Sequence, residues 1–192
     1  MNIDDLKNLI KNGQFINPTK GAMNLQEVVA EITDYRNEDL EFEYKLVVGS
    51  DSQERGEGVD FVSVIAIHRV GRGGRYFWLR SYDEHKLELR SRIYKEATLS
   101  LALALALLEQ ELYNNHIPVA AGKSIIEAIK ELKAGINNDI FTNNLEIHVD
   151  IGENGPTKAM IKEIVGMIRG SGFYVKIKPE SFAASSLADK HL

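Results

Sequence analysis

The sequence contains no cysteine. Disulfides, thiolate zinc sites and thiol nucleophiles are therefore excluded together, and any bound metal must be held by oxygen or imidazole ligands. Long hydrophobic runs are also missing, because no stretch approaches the roughly 20 apolar residues that cross a bilayer. The first residues, MNIDDLKNLIKNG, are too acidic and too broken for a secretion signal. These absences predict a cytoplasmic protein without a membrane segment.

An overall excess of basic charge is absent too. The net charge is −5, whereas non-specific duplex binding depends on neutralising phosphates with Lys and Arg. The charge is uneven: residues 1–45 carry five basic and nine acidic side chains, and residues 69–95 carry eight basic and three acidic. The basic stretch interleaves Arg with Tyr76, Phe77 and Trp78. This mixture suits phosphate contact and base stacking, although a solvated hairpin edge has the same composition.

The residues that are present predict one well-buried α/β domain. The chain has 192 residues, of which 44% are hydrophobic and 27% charged, values typical of globular proteins. Three consecutive antiparallel strands are predicted by YKLVVGSD, DFVSVIAIHRV and RYFWLRSYD, which short Gly-rich turns connect. A long helix is predicted by LELRSRIYKEATLSLALALALLEQELYNN, because Leu and Ala favour helix and the run is too long for a strand. A parallel strand pair with its crossover helix is predicted by NLEIHVD, GPTKAMIKEIVGMIRGSG and FYVKIKP, followed by a short final helix in SFAASSLADK.

Two regions lie outside this series of elements. Residues 1–43 predict a helical extension packed on the same domain, in which Asn24 and Glu27 form a capping box at the start of a helix. The main domain is predicted at residues 44–192, with an insertion at about 114–144 that contains a short amphipathic helix around residues 125–132. AGKS within the insertion is not a phosphate-binding P-loop, because that pattern needs an earlier glycine where Ile117 stands.

This order of elements resembles the ribonuclease H-like fold, a mixed five-stranded sheet with helices on both faces. Proteins of that superfamily carry an aspartate on the first strand, a glutamate on the first long helix, an aspartate at the end of the fourth strand and an acidic residue on the last helix. The sequence looks the same at each place, with Asp51, Glu96, Asp150 and Asp189. The resemblance implies that these four residues are the catalytic and metal-binding residues.

The sequence is most similar to the YkuK-like bacterial proteins, an uncharacterised family within that superfamily. The matching phrases are VVGSDSQ, IHRVGRGG, LRSRIYKEATLS, IHVDIGENGPTK and KIKPESFAASSLADK, which together cover most of residues 44–190. This resemblance implies a fold and a set of carboxylates more firmly than it implies a substrate.

The four acids suit a hard divalent cation. Mg²⁺ prefers oxygen ligands and takes one or two carboxylates from a protein. Two such ions, Mg²⁺ or Mn²⁺, about 3.5 to 4 Å apart activate a water and stabilise the leaving oxygen of a phosphodiester. Without cations the same cluster is unfavourable, because like charges at short range repel and pKa values rise.

Each acid also has a structural alternative. Asp51 is also suited to a turn within Ser-Asp-Ser, and Glu96 to an ion pair with Arg92 one helical turn earlier. Asp150 fits an ordinary β-to-α turn, and Asp189 a solvent-exposed position. Substrate contacts through ribose hydroxyls, phosphates or a helix N-terminus are predicted for Ser50, Ser52, Gln53, Gly152, Asn154 and Lys158, most of which would equally serve to close turns.

Three functional hypotheses follow. The first is a metal-dependent nuclease that hydrolyses phosphodiester bonds in RNA, in an RNA/DNA hybrid or in structured DNA. The second is a catalytically inactive ribonuclease H-like module that binds nucleic acid or protein. The third is a relative of the actin-like ATPases, suggested by DIGENG and GSDSQ, but that architecture closes two lobes on a nucleotide and 192 residues provide room for one.

Overall fold

The computed structural model describes residues 2–117, 119, 127–128, 140–143, 145–154 and 157–192. The predicted helix at residues 125–132 and the AGKS segment lie essentially outside these residues. The strands are β1 (Phe15–Asn17), β2 (Gly21–Met23), β3 (Tyr44–Arg55), β4 (Gly58–Arg69), β5 (Gly73–Asp83), β6 (Leu145–Val149) and β7 (Tyr174–Lys176). The α-helices are α1 (Ile3–Lys11), α2 (Leu25–Asn37), α3 (Leu89–Asn114), α4 (Ile140–Asn143) and α5 (Ile161–Gly170). A 3₁₀ turn at Lys158–Met160 leads into α5, and the chain ends in a π-helical stretch, Ala183–Ala188, and a 3₁₀ turn, Asp189–His191, here called the C-terminal segment.

The described strands form one mixed sheet in the order β2-β1-β5-β4-β3-β6-β7. Strands β3, β4 and β5 are antiparallel neighbours, while β6 runs parallel to β3 and β7 runs parallel to β6. The prediction of a mixed α/β sheet with helices is confirmed. The antiparallel hairpins and the parallel crossover follow from the short and long connections between the strands.

The predicted number of five strands is wrong, because the described residues form a sheet of seven strands whose order begins with two N-terminal strands. The region predicted as a helical extension also forms the β1–β2 hairpin, whose strand β1 pairs with the edge of β5 through Ile16 and Trp78. The side-chain oxygen of Asn17 accepts the backbone N–H groups of Thr19 and Lys20 in the connecting turn. Strands of three residues are too short to show the two-residue alternation from which strands are predicted.

One face of the sheet packs against the long helices. Asn24 and Glu27 form the predicted capping box at the start of α2. Helix α3 is buried almost all round, and Leu6 and Ile10 of α1 belong to the same core. The N-terminal elements and the main domain therefore share one hydrophobic core, while the domain boundary at residue 43 stays a prediction.

The C-terminal segment covers the opposite face. Ala183 packs against Val47 of β3, and Ala188 packs against Val62 and Val64 of β4. The predicted placement of helices on both faces thus matches the structure. Among the described residues, no helix combines the length and the apolar character that crossing a membrane requires.

Candidate active site

Asp51 and Asp150 lie side by side where two parallel strands separate. The pairing of β3 with β6 ends at Ser50 and Val149, so the next residue on each strand is an aspartate. Neighbouring residues of parallel strands at the same level point to the same face of a sheet. The charge of Asp150 accordingly contributes to raising the pKa of Asp51. The structure brings these two predicted residues together.

The carboxyl group of Asp51 is difficult to ionise. Its pKa is raised to about 6, chiefly by burial and further by the charges of Asp150 and Asp189. Two groups oppose this shift: the backbone N–H of Ser52, which donates to Asp51 Oδ1 at 2.8 Å, and the ammonium group of Lys178. Burial and the two neighbouring carboxylates therefore outweigh the opposing effects of Ser52 and Lys178 on the pKa of Asp51.

Glu96 approaches the same place from the opposite face of the sheet. It lies on α3 with 4% of its surface exposed, and burial raises its pKa to about 8, with smaller contributions from the charges of Asp51 and Asp150. Ser52 Oγ is 2.5 Å from Glu96 Oε1 and donates a hydrogen bond to it. The strands β3 and β6 part beyond Ser50, and this separation lets carboxylates from both faces interact.

Arg92 does not remove the charge of Glu96 by the pairing that the sequence suggested as an alternative. Its guanidinium donates to the backbone oxygen of Ser52 at 2.7 Å and to Glu54 at 3.2 Å. The positive charge of Arg92 still lowers the pKa of Glu96, but this effect is smaller than that of burial. Glu96 therefore remains a buried acid whose carboxyl group favours the protonated form.

Asp150 combines one paired oxygen with one unpaired oxygen. Oδ2 lies 2.9 Å from the ammonium nitrogen of Lys178. Oδ1 is buried and has no hydrogen-bond partner in the described part of the chain. A buried acceptor without a partner costs about 1–3 kcal/mol. The carboxylate thus has an oxygen available for a cation or a water.

Asp189 reaches the site from the C-terminal segment and is exposed. Small residues allow this close approach, because a methyl group at Gly49 would lie only 2.7 Å from the backbone nitrogen of Ala184. Buried His148 also anchors the segment, since its Nδ1 accepts the Ala183 N–H at 3.2 Å. An accepting Nδ1 places the ring proton on Nε2, 3.5 Å from Glu146. The charge of Asp189 contributes to raising the pKa of Asp51, so all four predicted acids interact electrostatically.

A comparison with protein-family models matches residues 27–192 to the ribonuclease H-like family. The chain belongs to this family. The uncharacterised protein YkuK of Bacillus subtilis (strain 168) is 28% identical over 178 residues, which are 92% of this chain and 95% of that protein. No solved structure gave a significant match. The resemblance seen in the sequence is therefore confirmed at the level of the family.

The residues predicted to contact substrate occupy different environments in this ribonuclease H-like protein. Ser50 is buried and its hydroxyl lies 2.9 Å from that of Ser63, whereas Gln53 is exposed on β3. Gly152 donates its N–H to Thr157 Oγ1 at 3.3 Å. Asn154 and Lys158 are exposed, Lys158 on the 3₁₀ turn before α5. The hydroxyl groups of Ser50 and Ser52 have hydrogen-bond partners within the protein. A role of the six residues in substrate binding stays a prediction.

Lys178 was missed by reasoning from the sequence. It follows β7, and its backbone N–H donates to the carbonyl of Ile151 at 2.8 Å, which extends the contact between β6 and β7 beyond their paired residues. A cavity of about 690 Å³ is lined by residues that include Lys176, Lys178, Gly152 and Asn154. The alternation in KIK was the available signal, because it places both lysines on one side of the strand.

The described acids of this ribonuclease H-like protein do not form a preassembled metal cluster. Within the described ranges, no group of three or more His, Asp and Glu residues has an arrangement that would hold a metal ion. The side chains have protein partners instead, as shown by Ser52 with Glu96 and Lys178 with Asp150. The charges of the four acids therefore affect pKa values within the set, but their carboxylate oxygens are not arranged around a common metal position.

Proposed function

We propose that this protein is a divalent-metal-dependent nuclease that hydrolyses phosphodiester bonds in RNA, in an RNA/DNA hybrid or in structured DNA. The observation that carries the proposal is the electrostatic interaction among four acids where β3 and β6 separate, which raises the pKa values of two of them. The four acids are Asp51, Glu96, Asp150 and Asp189. Membership of the ribonuclease H-like family supports it. Ligands commonly bind beyond the carboxyl ends of strands in open α/β sheets, which is where Asp150 lies.

The donor set fits a hard divalent cation. All four side chains offer carboxylate oxygens, which are the ligands that Mg²⁺ and Mn²⁺ prefer. Asp150 Oδ1 is buried without a hydrogen-bond partner among the described residues, and the pKa values of Asp51 and Glu96 are raised. A cation would satisfy the oxygen and favour the ionised carboxylates. We assign Mg²⁺ or Mn²⁺ to these four acids, with two ions as in the general phosphodiester mechanism.

The bound cation would activate a water and neutralise charge on the phosphodiester. The protein's own residues have separate tasks. Asp51 and Asp150 supply oxygens from adjacent strands, and Ser52 orients Glu96 through its hydrogen bond. Lys178 holds Asp150 in the free protein and offers a positive charge to a phosphate when substrate arrives.

The Lys178 contact also supports a second candidate, a catalytically inactive module that binds nucleic acid. The ammonium group of Lys178 contacts one oxygen of Asp150 at 2.9 Å, where a catalytic cation would otherwise bind. In such a module the lysine would permanently replace the metal. This alternative predicts binding to nucleic acid without metal-dependent cleavage.

A cleavage assay separates the two functions. Labelled single-stranded RNA, hybrid duplex and branched DNA would be incubated with the protein and Mg²⁺, Mn²⁺ or EDTA. We expect metal-dependent cleavage of at least one substrate, with a loss of about 100-fold or more in Asp51→Asn because charge stabilisation is removed. Asp34→Asn is the matched control, since Asp34 is exposed on α2. Equal activity of wild type and Asp51→Asn would remove the proposed mechanism.

A further inference from the structure

Three side chains of β5 form a row that the proposed cleavage chemistry does not use. Tyr76 and Trp78 are half-buried and Arg80 is exposed, whereas the alternate residues Phe77 and Leu79 are buried in the core. The row therefore lies on the face of the sheet that the C-terminal segment covers. We refer to Tyr76, Trp78 and Arg80 as the β5 row.

The ring of His191 occupies the centre of the β5 row. It is stacked on the indole of Trp78, with ring centroids 4.6 Å apart and an interplanar angle of 14°. Its Nε2 lies 3.2 Å from the hydroxyl of Tyr76. The guanidinium of Arg80 donates a hydrogen bond to the backbone carbonyl oxygen of His191 and also lies 3.4 Å from a carboxylate oxygen of Asp60. Stacking and a ring-nitrogen hydrogen bond thus hold one planar heteroaromatic ring, and a cationic side chain holds the backbone of the same residue.

These three contacts match what an unpaired nucleotide requires. Bases of single strands stack on aromatic side chains, and Arg contributes through the backbone phosphate and through cation–π contacts. A base also carries ring nitrogens and exocyclic groups that would hydrogen-bond to the hydroxyl of Tyr76. Imidazole, like the nucleobases, is a planar nitrogen heterocycle, so the contacts of His191 are those that a stacked base would use.

The β5 row is also correctly placed relative to the acids. Asp51 pairs with Val62 of β4, and Val62 pairs with Arg80, so the three residues lie across the sheet on one face. Two strand spacings separate Asp51 from Arg80, a lateral distance of roughly 10 Å. One nucleic-acid strand is long enough to reach both places, since a single-strand site covers about 4 to 16 nucleotides.

We propose that Trp78 is a stacking site for an unpaired base of an RNA or DNA strand, and that His191 fills this site until the base displaces it. The location of the strand near the acids rests on the proposed nuclease function. The stacking itself does not depend on cleavage, because none of its residues belongs to the carboxylate set. Displacement of His191 would also move the 3₁₀ turn that carries Asp189, which connects strand binding to the acids.

Intrinsic fluorescence tests this directly, because Trp78 is the only tryptophan in the chain. The Asp51→Asn protein with Mg²⁺, and wild type in EDTA, would each be titrated with oligoribonucleotide, oligodeoxyribonucleotide and blunt duplex of about 12 nucleotides. We expect saturable quenching by one or both single strands and none by the duplex. Unchanged emission with every single strand, or equal quenching by the duplex, would overturn the proposal.

Substitutions add a second measurement that does not need Trp78 emission. Binding of a labelled single strand would be followed by fluorescence anisotropy. We expect Trp78→Leu to weaken binding by roughly tenfold, within the range for one stacked base, and Trp78→Phe to retain most of the affinity. His191→Ala should tighten binding by about threefold or more, because the competing ring is gone. Tyr113→Leu is the control, since Tyr113 is 75% exposed at the end of α3.

Two results distinguish this inference from the proposed nuclease function. Quenching of Trp78 by single strands without metal-dependent cleavage would support the stacking site while removing the nuclease. The opposite result would be metal-dependent cleavage without quenching of Trp78, together with wild-type affinity in Trp78→Leu. It would support the nuclease function and overturn the stacking site.

Discussion

Ser52 Oγ donates a hydrogen bond to Glu96 Oε1 at 2.5 Å and at the same time accepts one from Arg92 Nε at 3.1 Å. Because the guanidinium can only donate, the hydroxyl proton of Ser52 must point to Glu96. This contact joins β3 to α3 one residue after Asp51. It fixes a buried acid next to a second acid that lies on the opposite face of the sheet.

Replacing Glu96 should affect stability and activity in opposite directions. We expect Glu96→Gln to raise the thermal midpoint of the metal-free protein at pH 8 and above, because a buried charge is replaced by a neutral amide of similar shape. Cleavage should fall by about 100-fold or more. Differential scanning calorimetry and the cleavage assay measure the two effects. A variant that is both less stable and fully active would contradict this assignment.

The stability of the metal-free protein should depend on pH in a direction set by Glu96 and Asp51. Both pKa values are raised by folding, Glu96 from 4.5 to about 8 and Asp51 from 3.8 to about 6. The folded state therefore favours the protonated acids. As far as these groups are concerned, the free energy of unfolding is highest below about pH 4 and decreases as pH rises towards 8. Glu96 contributes up to about 1.4 kcal/mol per pH unit over this range. The contribution of Asp51 is smaller, because its carboxyl group is only partly buried, and it fades above about pH 6.

Urea denaturation in EDTA across that pH range checks the sign. Glu96→Gln should flatten the profile most clearly between about pH 7 and 8, where Asp51 is already mostly ionised and Glu96 still titrates. Saturating Mg²⁺ should also flatten it, because a cation favours the ionised acids. If the free energy of unfolding falls with pH equally steeply in the wild type and in Glu96→Gln, Glu96 does not cause the pH dependence.

Gly49 should be intolerant of any side chain. A methyl group there would lie 2.7 Å from the backbone nitrogen of Ala184, so the C-terminal segment would have to move away from β3. We expect Gly49→Ala to cost about 1–3 kcal/mol of unfolding free energy, as overpacking does, and to reduce cleavage by displacing Asp189. Gly166→Ala is the matched control, since its added methyl group meets no atom within 4 Å. A neutral effect of Gly49→Ala would show that the segment is not held against the strand.

Lys178→Gln should lower the stability of the metal-free protein and strengthen its binding of Mg²⁺. The positive charge of Lys178 lowers the pKa of Asp51 and pairs with Asp150, so the metal-free variant should melt at a lower temperature. Mg²⁺ should bind more tightly, by roughly tenfold or about 1.4 kcal/mol, because the competing ammonium group is absent. Calorimetric titration measures this affinity. Lys176→Gln is the control, because Lys176 pairs with Glu180 instead; the same affinity in both variants would argue against competition at Asp150.

The residues of the long elements carried clear sequence signals. The apolar residues of β3 lead directly into Asp51, and the strongly apolar sequence of α3 contains Glu96, so both acids were recognisable once the resemblance to the ribonuclease H-like fold was seen. The β1–β2 hairpin was not, because three-residue strands show no period. The fold was therefore predictable where an element was long enough to repeat its pattern.

The contacts between residues far apart in the chain could not be predicted from the sequence. Lys178 and Asp150 are 28 positions apart and meet only because β6 and β7 pair and their ends continue together. Arg92 was considered as a partner of Glu96, but the fold directs its guanidinium to Ser52 and Glu54. Spacing along a helix shows which side chains are near, whereas the tertiary structure decides which hydrogen bonds form.

The central claim is that Asp51, Glu96, Asp150 and Asp189 together bind a divalent cation, and the thermal midpoint during a Mg²⁺ titration tests it most directly. Ligand present at about 100 times its dissociation constant should stabilise the wild type by about 2.7 kcal/mol. Asp34→Asn should behave like the wild type, and Asp51→Asn should lose most of the rise. No rise in the wild type, or an equal rise in Asp51→Asn, would contradict the account.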